Sequence, residues 1–482
     1  MTTASSPAVQ RYLPWLVGLV LFMEQLDSTI VNTAVPTMAR SLDVTPLSLK
    51  AIVTSYILAL AVGIPVSGWL ADRFGTRKVF TAAVAIFTGA SIMCGLALNA
   101  PMLVVARILQ GLGAAMMTPV GRLAIVRTFP RSQLLNKMNF VIIPALIGPL
   151  LGPTAGGLIV HWWSWREIFF VNVPVGLAAL WMIRHHMPDY RSDSPRPLDV
   201  VGLILFCSGA ALLSWLLEVF GEHRLEATTT TLLLLLSFAL LGAYAWHANR
   251  SESPLLNLRL FKVRTFRVSV AGGLVTRLGI GGLPFLLPLF YQLGLGLPAW
   301  QSGLLMAPSA IAAMVVKAWA PHVLRRFGYR RVLTMNTVLM GAVIGLFALV
   351  DRDTPMALIV LLSFLVGSGN SMQFSSMNSL AFADIDDRSS SMANTIASSM
   401  QQLSMSFGLA CGSLLTGWYL GNLPQTDQVA VVNALHAALL TLGAATIVSS
   451  LSFWALRPED GHALIDKPAS VGTREPTSSS RA

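Results

Sequence analysis

Six charged side chains stand inside long apolar runs of this sequence: Glu24, Asp27, Arg107, Arg122, Arg277 and Lys317. A charge in the middle of a membrane helix costs at least about 2.5–3.5 kcal/mol on insertion scales, so each is a functional candidate. Asp27 lies about 21 Å from one face of the apolar layer at 1.5 Å per residue, and Arg107 about 8 Å from the other face of a ~30 Å layer, so the two fall at one level. Glu24, three residues from Asp27, shares its helical face about one turn away. A carboxylate out of water favours its protonated form and a guanidinium beside it favours the charged form. A helix movement that separated Asp27 from Arg107 would therefore bind and release a proton, with Glu24 as a second candidate carrier. The alternative is a permanent buried pair that only fixes helix register.

The elements that must position these groups are membrane helices. Of the 482 residues 54% are apolar and 11% charged, against about 25% charged in soluble proteins, which excludes a soluble enzyme. Apolar runs place spans near 13–35, 51–71, 79–99, 102–124, 139–161, 168–187, 199–219, 230–247, 268–291, 301–321, 332–350, 355–378, 393–420 and 433–456, fourteen in all. An even number puts both termini on one side. With that side cytoplasmic, 24 of the 33 Lys and Arg fall in inside segments and 5 outside, the positive-inside asymmetry. That asymmetry accounts for the net charge of +11 without nucleic acid. Cys94, Cys207 and Cys411 lie far apart without metal-ligand spacing, so neither a metal site nor a disulfide is expected. The N-terminal run is interrupted by Glu24 and Asp27 and reads as a retained first span rather than a signal peptide. No nucleotide-binding or sensory domain is expected outside the spans.

Gly68–Val79 (GWLADRFGTRKV) and Pro321–Val332 (PHVLRRFGYRRV) share Arg-Phe-Gly and a basic pair at a constant offset of 253. Such duplication is a mark of secondary transporters, which bind substrate near the midplane between their halves. It divides the chain into a six-helix bundle at 1–188, an inserted helix pair with linkers at 189–264, a second six-helix bundle at 265–457 and a disordered cytoplasmic tail at 458–482.

The first copy resembles the loop signature of the major facilitator superfamily. Arg107-Ile-Leu-Gln110-Gly111-Leu-Gly113 resembles its span-4 motif, and Gly148-Pro149-Leu-Leu-Gly152-Pro153-Thr-Ala-Gly156-Gly157 the span-5 motif of its antiporters. Leu26–Pro36 and Asn172-Val-Pro174-Val-Gly176 are similar to the 14-helix drug:proton antiporter branch (EmrB/QacA type), and Arg326–Arg331 with Phe374–Asn378 to its MdtD-type exporters. The resemblance implies an all-α polytopic membrane protein of the major facilitator fold, with two six-helix bundles, two inserted helices and 14 transmembrane helices. It implies export of drugs and other amphipathic small molecules from a bacterial inner membrane, as a monomer, driven by the proton gradient with no cofactor. It also implies a conformational latch of Asp72, Arg73, Gly75, Arg77 and Lys78, in which Asp72 pairs across to the other half and releases as the inner side opens. The second copy departs from this, with Arg325 where Asp72 stands in the first.

Among the remaining candidates, Arg277 is the most isolated charge, near the midplane of span 9, where Gly279, Gly281, Gly282, Pro284 and Pro288 make a kink expected. It is read as a substrate or gating contact, or else as the counter-ion of a group not located. Arg122 and Lys317 are close enough to the inner face to snorkel. Asn32, Gln110, Asn370, Gln373, Gln401 and Gln402, with Met among the last four, are expected to line a substrate cavity; ordinary interhelical hydrogen bonding is the alternative. The glycines of the antiporter motif either pack tightly or block a proton leak. Four in-span basic groups against two acidic ones favour, as a second reading, an anionic metabolite or a metal-carboxylate chelate. A lipid-like substrate is open, and a non-transporting receptor or scaffold is least favoured. No Walker, HExxH or paired-Cys motif is present, so neither ATP hydrolysis nor other enzyme chemistry is expected.

Overall fold

The computed structural model describes residues 7–192, 197–220, 227–386, 389–421, 423–425 and 427–461; most of the expected tail lies outside them. The long helices in chain order are α1 (Pro7–Ile30), α2 (Lys50–Phe74), α3 (Thr76–Gly95), α4 (Ala100–Thr128), α5 (Arg131–Trp162), α6 (Asn172–His186), α7 (Val200–Phe220) and α8 (Ala227–Arg250). They continue as α9 (Arg264–Gly294), α10 (Ala299–Phe327), α11 (Tyr329–Leu346), α12 (Met356–Ala381), α13 (Ser390–Leu420) and α14 (Gln428–Ser449). Thirteen are long and apolar enough to cross a membrane. The exception is α13, which at 31 residues is long enough but carries Asn394, Gln401, Gln402 and a series of serines. It packs against α2, α9 and α14, and Ser399, Ser404, Ser406 and Ser413 are buried.

Within the first six helices α1 lies on α5, and α4 between α2 and α3; within the last six α10 pairs with α12, and α14 with α11 and α13. The two sets meet along α5–α10 and α2–α13. The pair α7–α8 packs on itself and reaches the rest through α7, which touches α2 and α13. Close backbone approach explains these pairings. A Cβ on Gly111 would lie 2.5 Å from the Tyr56 carbonyl of α2, one on Gly113 2.9 Å from the Ala83 carbonyl of α3, and one on Gly148 2.7 Å from Gln25 Cβ of α1. Gly152 and Gly156 continue the last contact to Thr29 and Ile30, while Gly157 meets Ala299 of α10. The antiporter-motif glycines thus seat α5 against the segment of α1 that carries Asp27.

The repeat is visible in the backbone. Gly75 ends α2 and Gly328 ends α10, with φ of +97° and +74°, a region that favours glycine, and the next helix begins at the following residue in both copies. As expected, α9 is irregular. It is π-helical over Val268–Gly272 and Phe290–Gly294 and breaks at Gly281–Gly282, against which the Gly408 backbone of α13 is packed.

The two ends of the bundle differ. At the end away from the repeated loops, one apolar cluster joins both halves, from Ile30, Val35, Met38 and Ile52 to Leu283, Leu286, Phe290 and Tyr291. Gln292 Nε2 donates to the Thr33 carbonyl at 2.9 Å and the Leu47 amide to Gln425 Oε1 at 3.3 Å, both across the halves. At the repeated-loop end the apolar clusters of α1–α6 and of α9–α12 are separate, and the halves touch through a further cluster that joins Ala61 of α2 to Ala393, Ile396 and Leu403 of α13 and to Phe206 of α7.

Candidate functional site

The span-4 glycines hold α4 close to α2 and α3, and this approach brings Arg107 and Gln110 to Asp27. Arg107 Nη1 donates to Asp27 Oδ2 at 2.7 Å. Gln110 Nε2 and Asn172 Nδ2 both donate to Asp27 Oδ1 at 2.8 Å. Asp27, Arg107 and Gln110 are all completely buried. Arg107 Nε donates to the Ile52 carbonyl at 3.1 Å, Nη1 also reaches Gln110 Oε1 at 2.7 Å, and the guanidinium lies 4.1 Å above the Tyr56 ring. Gln110 donates further to Ser91 Oγ at 2.8 Å. Five helices, α1, α2, α3, α4 and α6, therefore meet at one charge-neutral network. Arg107 Nη2 and the Tyr56 hydroxyl have no hydrogen-bond partner among the described residues.

Gln110 belongs to this network rather than to a cavity wall, which corrects the sequence expectation: the short α1–α4 separation directs its amide at the carboxylate. Glu24 stands one turn from Asp27 on α1. Its Oε2 accepts from Thr118 Oγ1 of α4 at 2.7 Å, because the one-turn offset sets it opposite Thr118 and away from the Asp27 cluster. Asn172, Ser91, Thr118 and Tyr56 were missed as functional candidates. Asn172 alone had a signal, since it opens the span-6 motif.

Arg277 is buried, with its guanidinium 4.6 Å above the Phe374 ring, its Nε unpartnered and no ion pair among the described residues. Of the expected cavity residues, Gln373 is tied into a buried chain, accepting from Asn336 at 2.8 Å and donating to Thr337 at 3.0 Å. Interhelical bonding between α11 and α12 therefore describes it better than cavity lining. Asn32 and Asn370 each have a side-chain oxygen without a partner among the described residues, and Gln401 and Gln402 are half-buried on α13. Arg122 lies within electrostatic reach of both Glu24 and Lys317.

In the first loop, Asp72 accepts from Arg127 at 2.9 Å, so its partner lies in its own half. The Arg77 amide donates to Asp189 Oδ1 at 3.0 Å and Arg191 Nε to the Arg73 carbonyl at 2.8 Å. The segment after α6 thus clamps the loop. No His, Cys, Asp and Glu cluster fit for a metal ion occurs among the described residues.

Residues 17–409 match the family described as Major Facilitator Superfamily. The chain belongs to this superfamily. It is 39% identical over 463 residues, 95% of this chain and 97% of the relative, to "Putative multidrug resistance protein MdtD" of Serratia proteamaculans (strain 568). The protein of that name from Klebsiella pneumoniae (strain 342) is 42% identical over 415 residues, 86% and 88% of the two chains. Among solved structures, the in meso crystal structure of the POT family transporter PepTSo aligns with a TM-score of 0.68 at 14% identity, over 92% of this chain and 97% of that one. A D-xylose-proton symporter aligns at 0.66 and 14%, over 94% and 99%. These two share the fold. As a member of the superfamily the protein is a multi-pass membrane transporter, similar to MdtD, and not an enzyme.

Proposed function

We propose that this major facilitator protein is a proton-coupled exporter of amphipathic small molecules that works by alternating access. The observation that carries the reading is the buried Asp27 carboxylate, shared between the Arg107 guanidinium and two amides contributed by α4 and α6. Asp27 is the proton carrier in this scheme and Arg107 the group that controls its charge. Movement of α4 relative to α1 would break the ion pair, admit a proton and couple protonation to the exchange of open ends. The seal at one end and the in-half pairing of Asp72 at the other support an inward-facing arrangement, with the latch released. The Lys and Arg distribution supports an inner-membrane location with both termini cytoplasmic. In this reading the units are the two six-helix bundles and the inserted pair α7–α8, the protein acts as a monomer, and the proton gradient replaces a cofactor.

The test is reconstitution in liposomes with an interior pH dye and an imposed proton gradient. A cationic dye should evoke proton flux in the wild type and none in Asp27→Asn; equal flux in the two would overturn the role of Asp27. Arg277 favours a second reading. A buried cation with no carboxylate partner among the described residues suits an anionic metabolite or chelate, and flux evoked only by citrate-like anions and lost in Arg277→Ala would establish that reading instead.

A further inference from the structure

The two repeated loops differ in how their positive charge is balanced. In the first, Asp72 bonds Arg127 and Asp189 bonds the Arg77 amide, so the chain supplies its own anions beside the basic residues. In the second, Arg325, Arg326, Arg330 and Arg331 occupy the positions of Asp72, Arg73, Arg77 and Lys78. All four line a hollow of about 640 Å³ between α10, α11 and the segment after α14, with Met335 and Trp454 also on its wall and, among the described residues, no carboxylate. None of the four forms a salt bridge with a described residue. Four guanidinium groups around one recess repel one another unless an anion enters, and planar forks that donate in pairs suit phosphate oxygens.

An apolar path leaves the recess. Met335 and Leu339, one turn apart on α11, are 65% and 61% exposed, and Leu451 and Trp454 beside them are 54% and 61% exposed. A soluble phosphate compound would use the arginines alone. A phosphate joined to acyl chains uses both features, and basic pockets at a helix-bundle end are suited to lipid headgroups. We propose that this recess binds the headgroup of an anionic phospholipid, with an acyl chain lying along Met335, Leu339 and Leu451. A zwitterionic headgroup fits less well because its cation would face the four arginines.

The full chain, stripped of lipid in maltoside detergent, would be mixed with phosphatidylglycerol or with phosphatidylcholine of the same acyl chains, and bound lipid read by native mass spectrometry. The wild type should retain phosphatidylglycerol over phosphatidylcholine, and millimolar inorganic phosphate should not displace it. Arg325→Gln with Arg331→Gln should weaken retention about thirtyfold, from about fivefold per arginine near a charged surface. Arg325→Lys with Arg331→Lys should keep most of it, and Arg352→Gln at the far end should change nothing. Equal retention of the two lipids by the wild type, or unchanged retention in the Gln pair, would overturn the proposal. Displacement by inorganic phosphate would assign the recess to a soluble phosphate compound and overturn the lipid assignment. The wild-type comparisons decide the matter even where the Gln pair fails to fold.

Discussion

Asp27 accepts three hydrogen bonds, and Arg107 provides only one of them. The carboxylate therefore keeps two amide donors if the guanidinium withdraws, whereas Arg107 left without Asp27 is a buried cation with only neutral acceptors. Removing one member of a buried pair costs about 3–5 kcal/mol. Asp27→Asn or Arg107→Gln alone should lower the thermal midpoint accordingly. The double substitution, which restores a neutral pair, should recover most of that loss without recovering proton flux; recovery of both would make the pair purely structural. Asn172→Leu removes one hydrogen bond to a charged acceptor, worth about 1.5–3 kcal/mol, and should reduce stability by that order in the same thermal assay. The Asp27–Arg107 pairing was legible in the sequence because counting residues along two antiparallel helices fixes depth. The amides of Gln110 and Asn172 were not, because their targets depend on how close α4 and α6 come to α1.

At the scale of elements, the antiporter-motif glycines seat α5 on α1. Gly148→Ala would put a methyl group 2.7 Å from Gln25 Cβ. Overpacking of this kind costs about 1–3 kcal/mol, and the resulting shift of α1 should weaken a disulfide cross-link engineered between α1 and α5. In the pair α7–α8, Ser237 bonds the Gly209 carbonyl and Tyr244 bonds the Leu256 backbone, and Asp199 gathers three further donors. Asp199 receives the Gly202 amide of the first turn of α7 at 2.8 Å, His247 of α8 at 2.7 Å and the Leu255 amide at 3.0 Å. Burial acts to raise its pKa, but these three donors together hold it below the usual carboxylate range. Its contribution is therefore present above that range and is lost as pH falls through the lowered value. Asp199→Ala removes a helix cap worth about 0.5–2 kcal/mol, and should speed proteolysis of the 250–263 linker at neutral pH, with the difference from wild type disappearing in acid. The two inserted helices were readable as apolar runs. Their attachment through Asp199 joins residues 56 positions apart and has no local sequence signature.

Across the whole molecule, one apolar cluster joins the halves at the end away from the repeated loops, and a second joins α2 to α13 together with α7 and α8. Cysteines placed at Leu47 and Gln425 in a chain lacking Cys94, Cys207 and Cys411 should cross-link readily in the resting protein. If the halves alternate, addition of a transported compound should reduce that yield several-fold, and an unchanged yield would argue against rocking about α2–α13 and α5–α10. The sequence by itself determined the membrane class, the number and order of helices, the duplication and the shared level of Asp27 and Arg107. These follow from hydropathy, from the 1.5 Å rise per residue and from the 253-residue offset, all of which are local or periodic. Only the tertiary structure decided that Gln110 and Asn172 share Asp27, that Glu24 turns to Thr118, that Asp72 pairs within its own half, and that four arginines of the second loop surround one recess. Each depends on distances between helices far apart in the chain, which are set by small-residue packing and not by any single segment.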